Sequence, residues 1–390
     1  MPWKETSPMK ERLHFLRDHA SGVFNLTELC DHYHISRKTG YKWLGRFELE
    51  GLDGLEDRSR RPHTSPNQID QARADILLQA KRRHPEMGPK KIKGVLELDR
   101  PTVDWPAASS IGELFKKHGL VRPRRRRRKP SHPGFQSVEL TAPNQIWTTD
   151  FKGEFKTLDG VYCYPLTIAD AFSRYLLAVD GLPGPRHAPT RAVFERVFSQ
   201  FGLPDAIRTD NGTPFASQAI HRLSRLHAWW IKLGITPLLN DLASPHQNGS
   251  HERMHRTLKE ATALPPAKDA FAQQTAFDRF RIEYNEFRPH EALGQQRPTS
   301  HYRPSHRPYP YEIAELEYPP HFELRKVSNN GGIRWRSGWV NVSHVLAGEH
   351  VGLEEVDFEV WSVYFGPLLL GRFKEEDLQL HGAHAYNVPT

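Results

Sequence analysis

The chain has 390 residues, 37% hydrophobic and 11% aromatic, which is enough apolar material for packed cores and too much length for one ordinary domain. No apolar run approaches the roughly 18 to 20 residues needed to span a bilayer, and the N-terminus lacks an apolar signal core, so a cytoplasmic protein with no membrane partner is expected. Two cysteines, Cys30 and Cys163, exclude a disulfide framework and a four-thiolate zinc site. The net charge of +8 is unevenly spread: residues 1–130 carry 28 Lys and Arg against 17 Asp and Glu, and residues 131–390 carry 26 against 29. The basic N-terminal third points to a polyanion, nucleic acid first.

Leu26, Leu29, Cys30 and Tyr33, then Trp43, Leu44 and Phe47, keep helical spacing around a break at 34–36. This predicts a helix-turn-helix DNA-binding domain within residues 1–62. Ser36 is placed to cap the second helix, with Arg37, Lys38, Thr39 and Lys42 on its first turns, where a recognition helix meets duplex DNA. A polar linker from Arg58 to Pro66 leads to a second helical unit over 66–121, also of helix-turn-helix type. Its apolar stripes run through Ile69, Ala72, Ile76, Leu77 and Ala80, then Ile92, Val95 and Leu96, then Ile111, Leu114 and Phe115. Ser109 or Ser110 is expected to cap the last of these helices and Gly119 to end it, with Lys116 and Lys117 near its C-terminal end as further DNA contacts. Residues 122–137 form a basic linker. Arg122, Arg124, Arg125, Arg126, Arg127, Arg128 and Lys129 crowd between prolines that discourage a helix, leaving an extended arm suited to phosphates or a narrow minor groove.

From Asn144 the pattern turns to β. Residues 145–151, 161–169 and 175–179 read as strands, the first two separated by an Asp159-Gly160 turn. A helix over 190–201, a strand at 206–209, a helix near 217–230, a strand at 235–239 and a helix from about 250 to 263 follow. Strands first in hairpins and then alternating with helices imply an α/β core with a mixed sheet over 138–300. After a Pro-rich stretch, strands at 322–327, 333–336, 339–343, 359–365 and 368–373 predict a small β-barrel within 301–390. Residues 304–390 carry 7 basic against 12 acidic side chains, which favours protein contacts over phosphate contacts there.

Three acids stand where elements end or begin: Asp150 closing Trp147-Thr-Thr, Asp210 before Asn211-Gly212, and Glu252 opening the last helix of the core. Sites in open α/β sheets gather at the carboxyl ends of strands, and oxygen ligands select hard cations such as Mg²⁺ or Mn²⁺. Two such ions suit in-line phosphoryl transfer. Thr-Thr-Asp150, Arg-Thr-Asp210-Asn-Gly and Ser244-Pro-His-Gln-Asn-Gly-Ser-His-Glu252-Arg-Met-His-Arg-Thr-Leu-Lys259 resemble the catalytic signature of bacterial insertion-sequence transposases with a retroviral-integrase-type core. The likeness extends to Ser36-Arg-Lys-Thr-Gly-Tyr-Lys-Trp43 and Arg58-Ser-Arg-Arg-Pro62. It implies an RNase H-like core in which Asp150, Asp210 and Glu252 are catalytic and bind two divalent ions. It also implies terminal inverted repeats and target DNA as partners, and a dimer or larger assembly that pairs two DNA ends.

The 41 residues between Asp210 and Glu252 exceed the spacing usual in that family and suggest extra residues around 229–242, leaving Asp241 and Glu260 as substitutes for the third ligand. Arg256 and Lys259 follow Glu252 at i+4 and i+7, so all three share a helix face, either as an intrahelical ion pair or as cations directed at DNA. Asp170 is expected to form a turn. The cluster Cys30-Asp-His-Tyr-His34 lacks a second nearby cysteine, so no zinc module is expected. A DNA-binding regulator without catalysis, or a structure-specific nuclease, are the other readings the sequence allows.

Overall fold

The computed structural model describes residues 7–59, 68–121, 140–210, 212–215, 223–239 and 249–382, and the chain divides into two compact units with a boundary between residues 69 and 70. The first unit is helical: α1 (Pro8–Ala20), α2 (Leu26–His32) and α3 (Arg37–Glu50). α1 was not foreseen from the apolar spacing. Asn25 and Glu28 form a reciprocal capping box at α2, and Ser36 caps α3 by accepting from the Thr39 N–H at 3.2 Å. Phe15, Leu16, Leu29, Cys30, Trp43 and Leu55 make the core. Where α3 crosses α2, Gly40 is required: a Cβ there would lie 2.7 Å from Cys30 Sγ and 3.2 Å from Phe15 Cζ.

The second unit opens with α4 (Gln71–Arg83), α5 (Pro89–Asp99) and α6 (Ala108–Lys117). The expected cap of α6 is corrected. Its N-cap is Ala107, with no side-chain cap, because Ser109 and Ser110 already lie inside the first turn. Gly119, at φ +67°, follows the helix as expected. These helices pack on residues 283–297, with Arg297 paired to Asp99 at 2.6 Å and the space beside Gly94 filled by Pro289 and Gln295.

The core sheet contains β1 (Ile146–Phe151), β2 (Phe155–Lys156), β3 (Tyr162–Asp170), β4 (Leu176–Leu182), β5 (Ala206–Thr209) and β6 (Thr236–Leu239). Its order is β2-β3-β1-β5-β6, with β4 also on β3; β3 runs antiparallel to β1 and β4, while β5 is parallel to β1 and β6. α7 (His187–Phe201) and α8 (Arg225–Lys232) cover one face through Phe194, Phe198 and Trp230 against Trp147, Leu166 and Ile168. α9 (Gly249–Thr262) and α10 (Ala270–Ile282) cover the other through Met254, Leu258, Phe277 and Phe280 against Leu176 and Val179. Both faces being covered explains why the first four residues of β1 are all buried, as central strands of such sheets are. α10 escaped the sequence reading.

The region expected to hold extra residues, 229–242, is core as far as it is described. Trp229 and Trp230 are buried in α8, and 236–239 is β6. α8 is buried from Leu226 to Ile231 because it is packed between two cores. Leu226, Trp229 and Trp230 face the sheet, while Ala228 and Ile231 join the C-terminal core. Lys232 adds an ion pair to Glu349 at 2.9 Å.

The expected C-terminal barrel is corrected too. β7 (Glu323–Lys326), β10 (His350–Asp357), β11 (Val360–Phe365) and β12 (Leu368–Lys374) form an open four-stranded antiparallel sheet in the order β12-β11-β10-β7. β8 (Gly332–Trp335) and β9 (Gly338–Asn341) form a separate hairpin. Closure is not needed to bury the apolar face. Ile333, Trp335 and Val340 from the hairpin pack against Leu353, Val363 and Phe373 of the sheet. β10, absent from the sequence expectations, is an inner strand that joins β7 to β11; its successive Glu354 and Glu355, half-buried and exposed, dilute the apolar signal of the strand.

Candidate metal centre and DNA-facing residues

Strand register brings the two aspartates together. β1 and β5 are parallel neighbours with Thr148 paired to Arg208, so two residues further on Asp150 and Asp210 stand side by side at the carboxyl ends of their strands. Asp150 is largely buried, and its carboxyl is pushed up to about 7, first by burial and then by the neighbouring charge of Asp210, with Glu252 adding a smaller push. Asp210 is also raised by burial, against the Gly212 backbone N–H that it accepts. Gly212 is there because the turn closes on that carboxylate: a Cβ would meet Asp210 Oδ2 at 2.9 Å. Among the described residues, Asp210 Oδ1 is buried with no hydrogen-bond partner. These are two adjacent half-buried carboxylates, one with an orphaned oxygen, and the Lys152 charge near Asp150 does not offset the upward push of burial and of Asp210. That donor set fits a hard divalent cation.

Glu252 lies on α9 with its side chain exposed. Its carboxylate does not complete a tight trio with the aspartates. Among the described residues, the group whose three ligand atoms all lie within 4.8 Å of one another is His84, Glu86 and Glu283, on the surface of the second unit. The structure thus places the first two acids together and the third on the adjacent helix. Asp241 and Asn211 lie outside the described residues, and Glu260 is exposed near the C-terminal end of α9.

Helical period decides which groups of α9 meet the sheet. His251, Met254, His255 and Leu258 are buried, while Glu252, Arg256 and Lys259 line the exposed face. His255 Nδ1 lies 3.9 Å from Asp150 Oδ2. Thr167 Oγ1 reaches His251 Nε2 at 2.6 Å and His255 Nε2 at 2.7 Å, and Thr148 Oγ1 lies 3.1 Å from His251 Nδ1. Sequence reasoning missed this cluster. Its signals were histidines at i and i+4 on the apolar side of α9, and Thr148 alternating with Asp150 on one face of β1.

Of the expected DNA-contacting residues, Arg37, Lys38 and Lys42 are exposed on α3; Lys42 Nζ sits 4.1 Å above the Trp43 ring. Thr39 is half-buried, with its hydroxyl 2.9 Å from Ser36 Oγ, a cap contact. Tyr41, 65% exposed and one turn beyond Arg37, shares that surface and was not singled out from sequence. Lys116 and Lys117 are exposed, Lys116 within 3.9 Å of Glu113. Lys259 and Lys152 border a recess floored by Leu258 and Phe277. Arg124 to Arg128 lie outside the described residues. Asp170 forms the expected turn, accepting from the backbone of Asn144 and Ser173 at 2.7 Å each. No helix among the described residues is long and apolar enough to cross a membrane.

Comparison with known proteins adds what the chain is similar to. Residues 11–63 match a helix-turn-helix domain, 39–115 a homeodomain-like domain, and 141–245 and 233–298 two integrase core domain models. The chain is 28% identical over 263 residues to an uncharacterized 39.2 kDa protein of insertion element IS476 from Xanthomonas euvesicatoria, covering 64% of this chain and 69% of that protein. It is 27% identical over 236 residues to the Gag-Pol polyprotein of baboon endogenous virus, covering 60% of this chain and only 13% of the polyprotein. Among solved structures, a magnesium complex of the HTLV-2 integrase catalytic core domain aligns with 41% of this chain and 97% of that one at 19% identity and a TM-score of 0.32. With helix-turn-helix matches ahead of two integrase core matches and an insertion-element protein among its relatives, the chain is similar to the insertion-sequence transposases that carry an integrase-type core.

Proposed function

We propose that this protein is a DNA transposase: it binds the terminal inverted repeats of an insertion sequence, exposes their 3′ ends and joins them to target DNA. The observation that carries the catalytic part is the pair Asp150 and Asp210, side by side and half-buried, with the buried Asp210 Oδ1 unpartnered among the described residues. Asp150 and Asp210 would hold the divalent ions, Mg²⁺ or Mn²⁺ and two per site, and Glu252 is the third ligand. Bound there, the ions activate the attacking oxygen and neutralise charge on the leaving one. The protein's own part is to present two carboxylates from adjacent strand ends, to exclude water from their buried side, and to offer Arg256 and Lys259 to DNA phosphates. A dimer or larger assembly is inferred, because two element ends must be joined together.

The test is metal-dependent strand transfer with oligonucleotides carrying the element's ends. Asp210→Asn is expected to abolish joining while leaving DNA binding intact. Joining at the parental rate would leave only a DNA-binding regulator, and joining governed by junction structure rather than repeat sequence would point to a nuclease.

The same assay format tests the recognition surface. Replacing Arg37, Lys38 and Lys42 by Ala should flatten the salt dependence of repeat binding by a log–log slope of about 0.9 per phosphate contact removed. An unchanged slope would take α3 out of the interface.

A further inference from the structure

His251 and His255 are only 3% and 6% exposed, and the proposed triad uses neither. Their protons can be assigned by counting. An imidazole that binds a metal ion is neutral, so each ring is counted with one N–H. Besides its contact with His251, Thr148 Oγ1 lies 3.3 Å from the Ala169 carbonyl; Thr167 Oγ1 lies 3.1 Å from the Asp150 carbonyl in addition to its two histidine contacts. If the proton of His255 is on Nε2, every donor in the cluster is paired. His255 Nε2–H donates to Thr167, the Thr167 hydroxyl donates onward to His251 Nε2, His251 Nδ1–H donates to Thr148, and Thr148 donates to the Ala169 carbonyl. If the proton is on Nδ1 instead, it faces Asp150 Oδ2 from 3.9 Å, too far for a hydrogen bond. In the first arrangement His255 presents a bare lone pair toward the Asp150 carboxylate, which is the form a ligand to a cation held there must take.

Two electron-rich atoms facing each other across such a gap call for a positive charge between them. A gap of 3.9 Å can be spanned by two metal–ligand bonds of about 2.1 Å. An imidazole whose other nitrogen donates to a fixed oxygen is also the usual form of a metal-bound histidine.

We propose that His255 ligates, through Nδ1, the cation that Asp150 holds. The inference rests on the reading of Asp150 and Asp210 as cation ligands. It gives the centre a nitrogen donor beside its carboxylates, which shifts its preference from Mg²⁺ toward Mn²⁺.

The test is pulsed EPR of Mn²⁺ bound to the full chain, in a His84→Asn background that removes the surface group from the spectrum. A ¹⁴N coupling is expected in this parent and its loss in His255→Asn, with Mn²⁺ affinity lowered on the order of tenfold or more. The parent spectrum needs no folded variant at the site. Mn²⁺ bound without nitrogen coupling overturns the proposal, as does coupling that survives His255→Asn. Asp150→Asn separates the two levels. If it abolishes Mn²⁺ binding while the parent shows no nitrogen coupling, only the role of His255 fails. If Mn²⁺ binds Asp150→Asn as tightly as the parent, the carboxylate reading fails as well.

Discussion

Replacing Asp150 by Asn should do two opposite things: lower strand transfer by at least about a thousandfold, since ligand loss removes several kcal/mol of charge stabilisation, and make the metal-free protein harder to unfold. The second effect follows from the site's electrostatics. Burial and the adjacent Asp210 raise the Asp150 carboxyl from 3.8 to about 7. In the unfolded chain the group loses its proton near 4, whereas in the fold it keeps the proton until about 7. Between those values the folded state binds more protons, so this group's contribution to stability is greatest at acid pH and declines as pH rises from about 4 to about 7. Above 7 the native protein carries a buried charge that Asn does not. The stabilisation by Asp150→Asn should be near zero at pH 4 and reach about 4 kcal/mol at pH 8. Thermal unfolding in EDTA at both pH values is the check. Equal midpoints for variant and parent at pH 8 would mean that the carboxylate is not held under electrostatic strain, and the main physical ground for a cation at that position would go.

Gly40→Val should unfold the N-terminal unit. The added branched side chain would stand where Cys30 Sγ and Phe15 already are, with Cβ contacts of 2.7 and 3.2 Å, and α2 and α3 would have to separate. Overpacking of this kind costs about 1 to 3 kcal/mol, and a unit whose core is six side chains has little more than that to lose. Amide hydrogen exchange over α1 to α3 should lose its protection, and binding to the terminal repeats should fall by about ten- to a hundredfold, the equivalent of that energy. Gly40→Ala combined with Cys30→Ala is the control. Removing the sulfur makes room for the new methyl group, so protection and binding should return. Retained protection in Gly40→Val would show that the α2–α3 crossing is looser than the structure describes.

Much of this protein is legible in the order of its residues because the signals are local. The Ser36 cap, the apolar spacing from Leu26 to Phe47, the β-rich runs of β1 and β3, and the acids closing β1 and β5 depend on neighbours within a few positions. Parallel pairing of β1 and β5, which sets Asp150 beside Asp210, follows from the strand–helix alternation between them. Elements whose pattern is diluted were lost. β10 carries Glu354 and Glu355 where alternation was sought, and α10 spreads its apolar residues around the helix, with Phe277 and Phe280 buried and Phe271 83% exposed.

What only the tertiary structure decided concerns contacts between residues far apart in the chain. The His251 and His255 nitrogens acquire meaning only when Thr148 and Thr167, about a hundred positions earlier, are brought beneath them. The open C-terminal sheet arises because the β8–β9 hairpin and α8 cover its apolar face, making closure unnecessary. Sequence sets which face of each element is apolar, since side-chain chemistry and backbone period are properties of the local chain. Which faces meet, and which polar atoms are left without partners, is decided by packing, where burial makes every unpaired donor and every uncompensated charge costly.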